Sequence, residues 1–189
     1  MCICASVPIG CSEIARRIVE FVRAKNLPYS ETNTKWKTAT YEILGNIGRE
    51  LGFKVFHEPC PGLSPHGSEF LLDLIGDSNT GGVELAAECE FESDSEVFYD
   101  FRKLVYVKAP FKVLIYAAAR TKDSGKGIRS EIESYMAQYT RHVAGEQYLF
   151  VEFGAGSDHR CYWYVVPRNG SVGSVSLCQF QMKVAAGAA

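Results

Sequence analysis

From Ser12 to Lys25 the chain reads SEIARRIVEFVRAK, with apolar residues at Ile14, Ile18, Phe21 and Val22. That is the spacing of one helix face, with Ser12 placed to cap it and arginines on the other side. Lys35–Leu51 repeats the period through Trp36, Tyr41, Ile43, Leu44, Ile47 and Leu51, and Gly52 stops it. The pattern then shortens. Phe53–His57 reads as a strand, Pro59–Gly67 as a loop, Glu69–Gly76 as a strand, Asp77–Gly82 as a turn and Val83–Phe91 as a third strand, together an antiparallel meander. A helix capped by Asp94 or Ser95 runs to Ala109, before Pro110. Phe111–Ala118 follows as a strand whose apolar centre suits burial on both faces. Gly127–Val143 is amphipathic; Gln147–Phe153, Cys161–Val166 and Val175–Met182 are further strands. The expected fold class is α/β (α+β), a central mixed β-sheet flanked by helices. Residues 1–34 are expected to form an N-terminal helical segment, 35–183 the α/β domain and 184–189 a disordered tail.

Within this frame three acids break the apolar pattern. Glu88 and Glu90 are two apart in VELAAECEF, so an extended chain projects both to one face while Cys89 points to the other. Like charges side by side on a buried strand repel and resist desolvation, unless a cation lies between them. Asp73 falls inside the apolar run LLDLI, where a carboxylate is costly without a partner. Pairing the two strands through the Asp77–Gly82 turn brings Asp73 opposite Glu88 or Glu90. Three carboxylates from adjacent strands form a hard-oxygen site suited to Mg²⁺ or Mn²⁺. On the next helix Asp100 and Lys103 are one turn apart, as in a surface ion pair. Alternatively Lys103 reaches over the acid strand and acts on the reacting groups.

Composition narrows the functional range. With 189 residues, 47% hydrophobic and 22% charged, the chain has ordinary globular usage and length for a sizeable core. A net charge of −2 provides no global attraction for a polyanion, so nucleic acid would be held by local patches. The seven cysteines are odd in number and irregularly spaced, which reads as reduced thiols in a cytoplasmic protein. No apolar run approaches the length of a membrane span. Ser124-Gly125-Lys126-Gly127 is not a phosphate loop, because Arg120 stands where that motif needs glycine. The four histidines are scattered without metal-ligand spacing.

The order strand with Asp73, turn, strand with Glu88-Cys89-Glu90, helix with the DFRKL run, strand resembles the PD-(D/E)xK nuclease superfamily, in an uncharacterised bacterial branch. The resemblance spans Lys35–Ala118 and implies a restriction-endonuclease-like core. It also implies a Mg²⁺- or Mn²⁺-dependent endonuclease hydrolysing phosphodiester bonds to a 5′-phosphate and a 3′-hydroxyl. Asp73 matches its first acid and Glu88 its second. Glu90 holds the usual lysine position, Lys103 is the candidate for a lysine moved to the following helix, and Glu42 resembles an auxiliary acid. Leu72 stands where the motif has proline.

The resulting expectation is a nuclease with Asp73, Glu88, Glu90 and Lys103 as catalytic residues and the three acids as metal ligands. DNA, rather than RNA, would be gripped by Lys35, Lys37, Lys122, Lys126 and Arg129, with Arg16 and Arg17 if the first helix packs nearby. That helix is either a core layer or a dimerisation arm, the latter making a homodimer. The alternatives are a catalytically inactive nuclease-fold interaction or regulatory module, and an unrelated α+β binding protein with an acidic patch.

Overall fold

The computed structural model describes residues 9–25, 33–57, 72–78, 81–117, 126–154, 159–167, 175 and 177–180. Its elements in chain order are α1 (Ile9–Ala24), α2 (Asn33–Glu50), β1 (Lys54–His57), β2 (Leu74–Asp77), β3 (Val83–Glu90), α3 (Asp94–Tyr106), β4 (Phe111–Ala117), α4 (Lys126–Gln138), β5 (Gln147–Phe153), β6 (His159–Val165) and β7 (Cys178–Phe180). The fold is α+β. A single mixed sheet has its strands side by side in sequence order, β1 to β7, with helices on both faces.

The expected meander forms: β1, β2 and β3 are antiparallel. The centre is parallel, because α3 and α4 carry the chain back between β3, β4 and β5. β5, β6 and β7 return to antiparallel pairing. Strand alternation divides the core in two. Leu85, Ala87 and Cys89 of β3, Val113 and Ile115 of β4 and Leu149 and Val151 of β5 face α1 and α2. Ala86, Leu114, Tyr116, Tyr148 and Phe150 face the side covered by α3 and α4. α1 contributes Ala15, Ile18, Val19 and Val22 to the first of these layers.

Glycine fixes how α2 meets the sheet. Gly52, at φ +83°, ends the helix in the left-handed conformation, its N–H on the Arg49 carbonyl oxygen at 2.9 Å. A Cβ on Gly48 would lie 2.7 Å from Val55 Cγ2, so the absent side chain lets the helix press onto β1. Trp36, near the other end, packs its ring 5.7 Å from Phe91 and 5.3 Å from Phe153.

Several boundaries differ from the sequence expectation. The cap of α3 is Ser93, whose hydroxyl accepts from the Glu96 N–H at 3.3 Å, the serine end of a capping box. α4 stops at Gln138 rather than continuing to Val143, and the buried His142 places Nε2 2.9 Å from the Met136 carbonyl oxygen. The imidazole thus meets a carbonyl that a further helical turn would have used. Cys89, Cys161 and Cys178 are reduced, in no disulfide bond. No helix among the described residues is long and apolar enough to cross a membrane.

Candidate metal centre

The site grows from the C-terminal end of β3. Among the described residues β2 pairs with β3 only as far as Leu74 opposite Ala87, and none gives the edge of β3 beyond that point a ladder partner on that side. Asp73, expected mid-strand, instead precedes β2, and its carboxylate replaces the missing ladder bond: the Cys89 N–H donates to Asp73 Oδ2 at 2.9 Å. The Tyr41 hydroxyl also bonds Asp73, and burial first, then neighbouring charges, push that phenol well above its ordinary range. Asp73 is therefore fixed from two sides by the strand and by α2.

Glu88 and Glu90 both project to the α3 side, as their spacing requires, but they do different things. Glu90 Oε1 accepts from the N–H groups of Phe91 (2.7 Å) and Glu92 (2.6 Å), and Oε2 lies 3.3 Å from Lys37 Nζ. Glu90 is thus tied into the turn that follows its own strand, outside the convergent group of acids. Its place is taken by Asp100. One carboxylate oxygen each from Asp73, Glu88 and Asp100 lie within 4.8 Å of one another.

Spacing alone makes Asp100 half of a surface ion pair with Lys103. In the fold it occupies one of the buried stripe positions, with Val97, Phe101 and Leu104 at helical spacing, and is 6% exposed. A charged residue inside that repeat was the available signal, and the helix seats it against β3.

Glu88 is fully buried. Lys103 Nζ stands 2.8 Å from its Oε1 and 2.7 Å from Asp100 Oδ1. The approach to Glu88 is an ion pair without the alignment of a hydrogen bond, and neither Glu88 oxygen has a hydrogen-bond partner. Burial above all, followed by the charges of Asp100 and Asp73, pushes the Glu88 carboxyl up to about 9, with Lys103 opposing. Burial also raises Asp100, against its bond to Lys103. For Lys103 burial works against the charge, yet the carboxylates of Asp100 and Glu88 outweigh it and hold the ammonium above its ordinary range. Lys37 behaves similarly: desolvation is opposed by Asp73 and Glu90, and its value is raised. Among the described residues, four carboxylates are thus faced by the ammonium groups of Lys37 and Lys103, a surplus of two negative charges when all are ionised.

The remaining expected residues lie elsewhere. Glu42 is exposed and pairs with Lys25 at 2.9 Å, apart from the acid group. Lys35 is exposed in the first turn of α2. Lys122 lies outside the described residues, and Lys126 opens α4 with its side chain outside them. Arg129 is half-buried, its guanidinium carbon 5.5 Å from the centre of the Tyr162 ring. Arg17 is committed to Glu50 at 2.8 Å, and Arg16 to Glu13 and Glu20.

No family model matches the chain, and no curated protein matches it. Among solved structures it is similar to the YaeQ protein from Xanthomonas axonopodis pv. citri, at 14% identity over 79% of this chain and 80% of that one, with a TM-score of 0.30. A likeness that slight bears on neither fold nor function.

Proposed function

We propose that the chain is a metal-dependent nuclease of the PD-(D/E)xK kind, with Asp73, Glu88 and Asp100 as the ligands of a divalent cation. The observation carrying this reading is Glu88: a fully buried carboxylate whose ion pair with Lys103 is shared with Asp100, with one oxygen each from Asp73, Glu88 and Asp100 within 4.8 Å of one another. With all four acids ionised, the surplus of two negative charges is the amount that one Mg²⁺ or Mn²⁺ would neutralise. An all-oxygen donor set suits those hard cations over zinc. Held by Asp73, Glu88 and Asp100, such a cation would supply Lewis-acid activation of a phosphoryl group and of water.

The chain's own residues supply the rest. The Cys89 N–H and Tyr41 hold Asp73 in one orientation, which pre-organises a ligand at no cost during reaction. Lys103 screens Glu88 from Asp100 and allows two acids to share a buried site. Lys37, less buried than Lys103 and in contact with one carboxylate, is the ammonium better placed to meet an incoming phosphodiester.

A second reading has its own support. Glu90 occupies the motif's lysine position and is bound by two backbone N–H groups, while Lys103 is engaged by two acids. Both features suit a nuclease-fold module that holds a cation without cleaving. Purified protein with Mg²⁺ or Mn²⁺ should nick plasmid DNA, and Glu88→Ala should abolish nicking together with Mn²⁺ binding measured by calorimetry. Binding without nicking leaves the inactive module. Failure of the wild type to bind either cation removes both readings.

A further inference from the structure

The residue row at the C-terminal edge of the sheet continues past the acids. In register across the parallel strands, Glu90 pairs with Tyr116, Tyr116 with Glu152, and Glu152 with Arg160. All four lie on the sheet face that carries Glu88. Tyr116, fully buried, donates from its hydroxyl to Glu152 Oε2 at 3.0 Å, and Arg160 Nη1 is 3.6 Å from Glu152 Oε1. Tyr162 follows Arg160 by two positions on the same face of β6, and Arg129 lies over its ring from α4. Two guanidinium groups thus flank Tyr162 with one carboxylate, Glu152, described between them.

The charge balance here is the reverse of that at the acids. The Arg129 Nε is buried and has no acceptor. Arg160 keeps 35% of its side chain exposed while leaning on Glu152. A guanidinium carries five N–H donors in a planar fork matched to the oxygens of a phosphate, and a buried donor without an acceptor is costly to keep.

We propose that Arg129 and Arg160 form a second subsite that binds a backbone phosphate of a polynucleotide strand, a few nucleotides away from the phosphodiester that meets the carboxylate site. This rests on the nuclease reading and sharpens it. β3 and β6 are three strand spacings apart, roughly 14 Å, so one small phosphate ester cannot span both sites and the ligand must be a chain of several nucleotides. The arginines neutralise backbone charge without reading a base, so the grip is indifferent to sequence.

The test uses the intact protein in EDTA, where no cleavage interferes, with a fluorescent single-stranded oligonucleotide read by anisotropy across a salt series. Wild type should bind with a salt-dependent affinity. Arg129→Gln and Arg160→Gln should each lower the slope of log K against log salt by about 0.7, the release expected for one phosphate contact on a single strand. Arg160→Lys keeps the charge and should keep the slope; Glu152→Gln removes the ion pair but leaves Arg160, and a slope retained there separates phosphate binding from a merely structural pair. Slopes unchanged in both glutamine variants, or a wild type that does not bind the strand, overturn the subsite. Mn²⁺ binding, measured separately by calorimetry without EDTA, should be equal in wild type and arginine variants. If Mn²⁺ binds while the strand ignores the arginines, the subsite falls alone. If the strand binds through the arginines and Mn²⁺ does not bind, the metal-dependent reading falls instead.

Discussion

Two buried charge clusters share one face of the sheet, and only one of them is closed. At the N-terminal end of β4, Lys112 is fully buried and donates to the Tyr148 hydroxyl at 3.0 Å, with Glu146 Oε2 also at 3.0 Å; Tyr148 in turn donates to Glu146 at 3.2 Å. One ammonium meets one carboxylate, with a phenol closing the triangle. Lys112 is in register with Ala86, two positions before Glu88, where the other cluster begins. There the acids outnumber the lysines and Glu88 has no hydrogen-bond partner. Burial of charge is common to both, so burial alone does not mark a binding site. The distinguishing property is whether the partners balance. A closed triangle holds strands in register; an open acid group retains capacity for a cation.

The comparison breaks most visibly at the closed cluster. Lys112→Met leaves Glu146 buried without its counter-charge and should destabilise the fold by about 3–5 kcal/mol. Combining it with Glu146→Leu removes both charges and should recover most of that loss, as chemical denaturation would read. Mn²⁺ affinity of the folded fraction should not change in either variant. A loss of Mn²⁺ binding without a loss of stability would mean that the Lys112 cluster belongs to the site after all.

Glu88 gives the opposite sign. Between its ordinary value of 4.5 and about 9, the folded chain without metal holds a proton on Glu88 that the unfolded chain has released. The folded state binds more protons there, so its stability falls as pH rises through that window. Urea unfolding in EDTA should therefore show a higher midpoint at about pH 6 than at about pH 8, and Glu88→Gln, neutral at both, should flatten the difference. The same substitution removes a ligand and should abolish stabilisation by Mn²⁺. A Glu88→Gln protein as pH-dependent as the wild type would mean that the carboxylate is already balanced.

Much of this arrangement was legible in the chain. The change from helical to alternating apolar spacing marked the elements, and the doubly apolar run of β4 marked the centre of the sheet, because burial is what those patterns encode. Asp73 and Glu88 stood out as charges in apolar runs. The sequence placed Glu90 with them because strand periodicity predicts which face a side chain takes and says nothing of which backbone N–H it meets. Glu90 faces the same way as Glu88 but is captured by Phe91 and Glu92 at the strand end. Asp100 escaped because its pairing with Lys103 one turn on fits an exposed helix face as well as a buried one. Only the packing of α3 on β3 decides between them. The arginine subsite joins α4 to β6, a contact between distant segments that no local spacing reveals.

The smallest effect separates the supply of ligands from their support. Asp100 and Lys103 both come from α3, whose first turn is held by the Ser93 hydroxyl and by Asp94 and Glu96 near its N-terminus. Ser93→Ala removes the cap and should cost about 1 kcal/mol of stability. The helix remains anchored by Val97, Phe101, Leu104 and Val105 in the core, downstream of the cap. Asp100 should therefore keep its position, and Mn²⁺ affinity measured by calorimetry should stay at the wild-type level while the urea midpoint drops. The Lys112 triangle, which takes nothing from α3, should be untouched. If Ser93→Ala instead weakens Mn²⁺ binding in proportion to stability, the acid group depends on the fraying end of its helix, and the contrast between a rigid closed cluster and an equally rigid open one no longer holds.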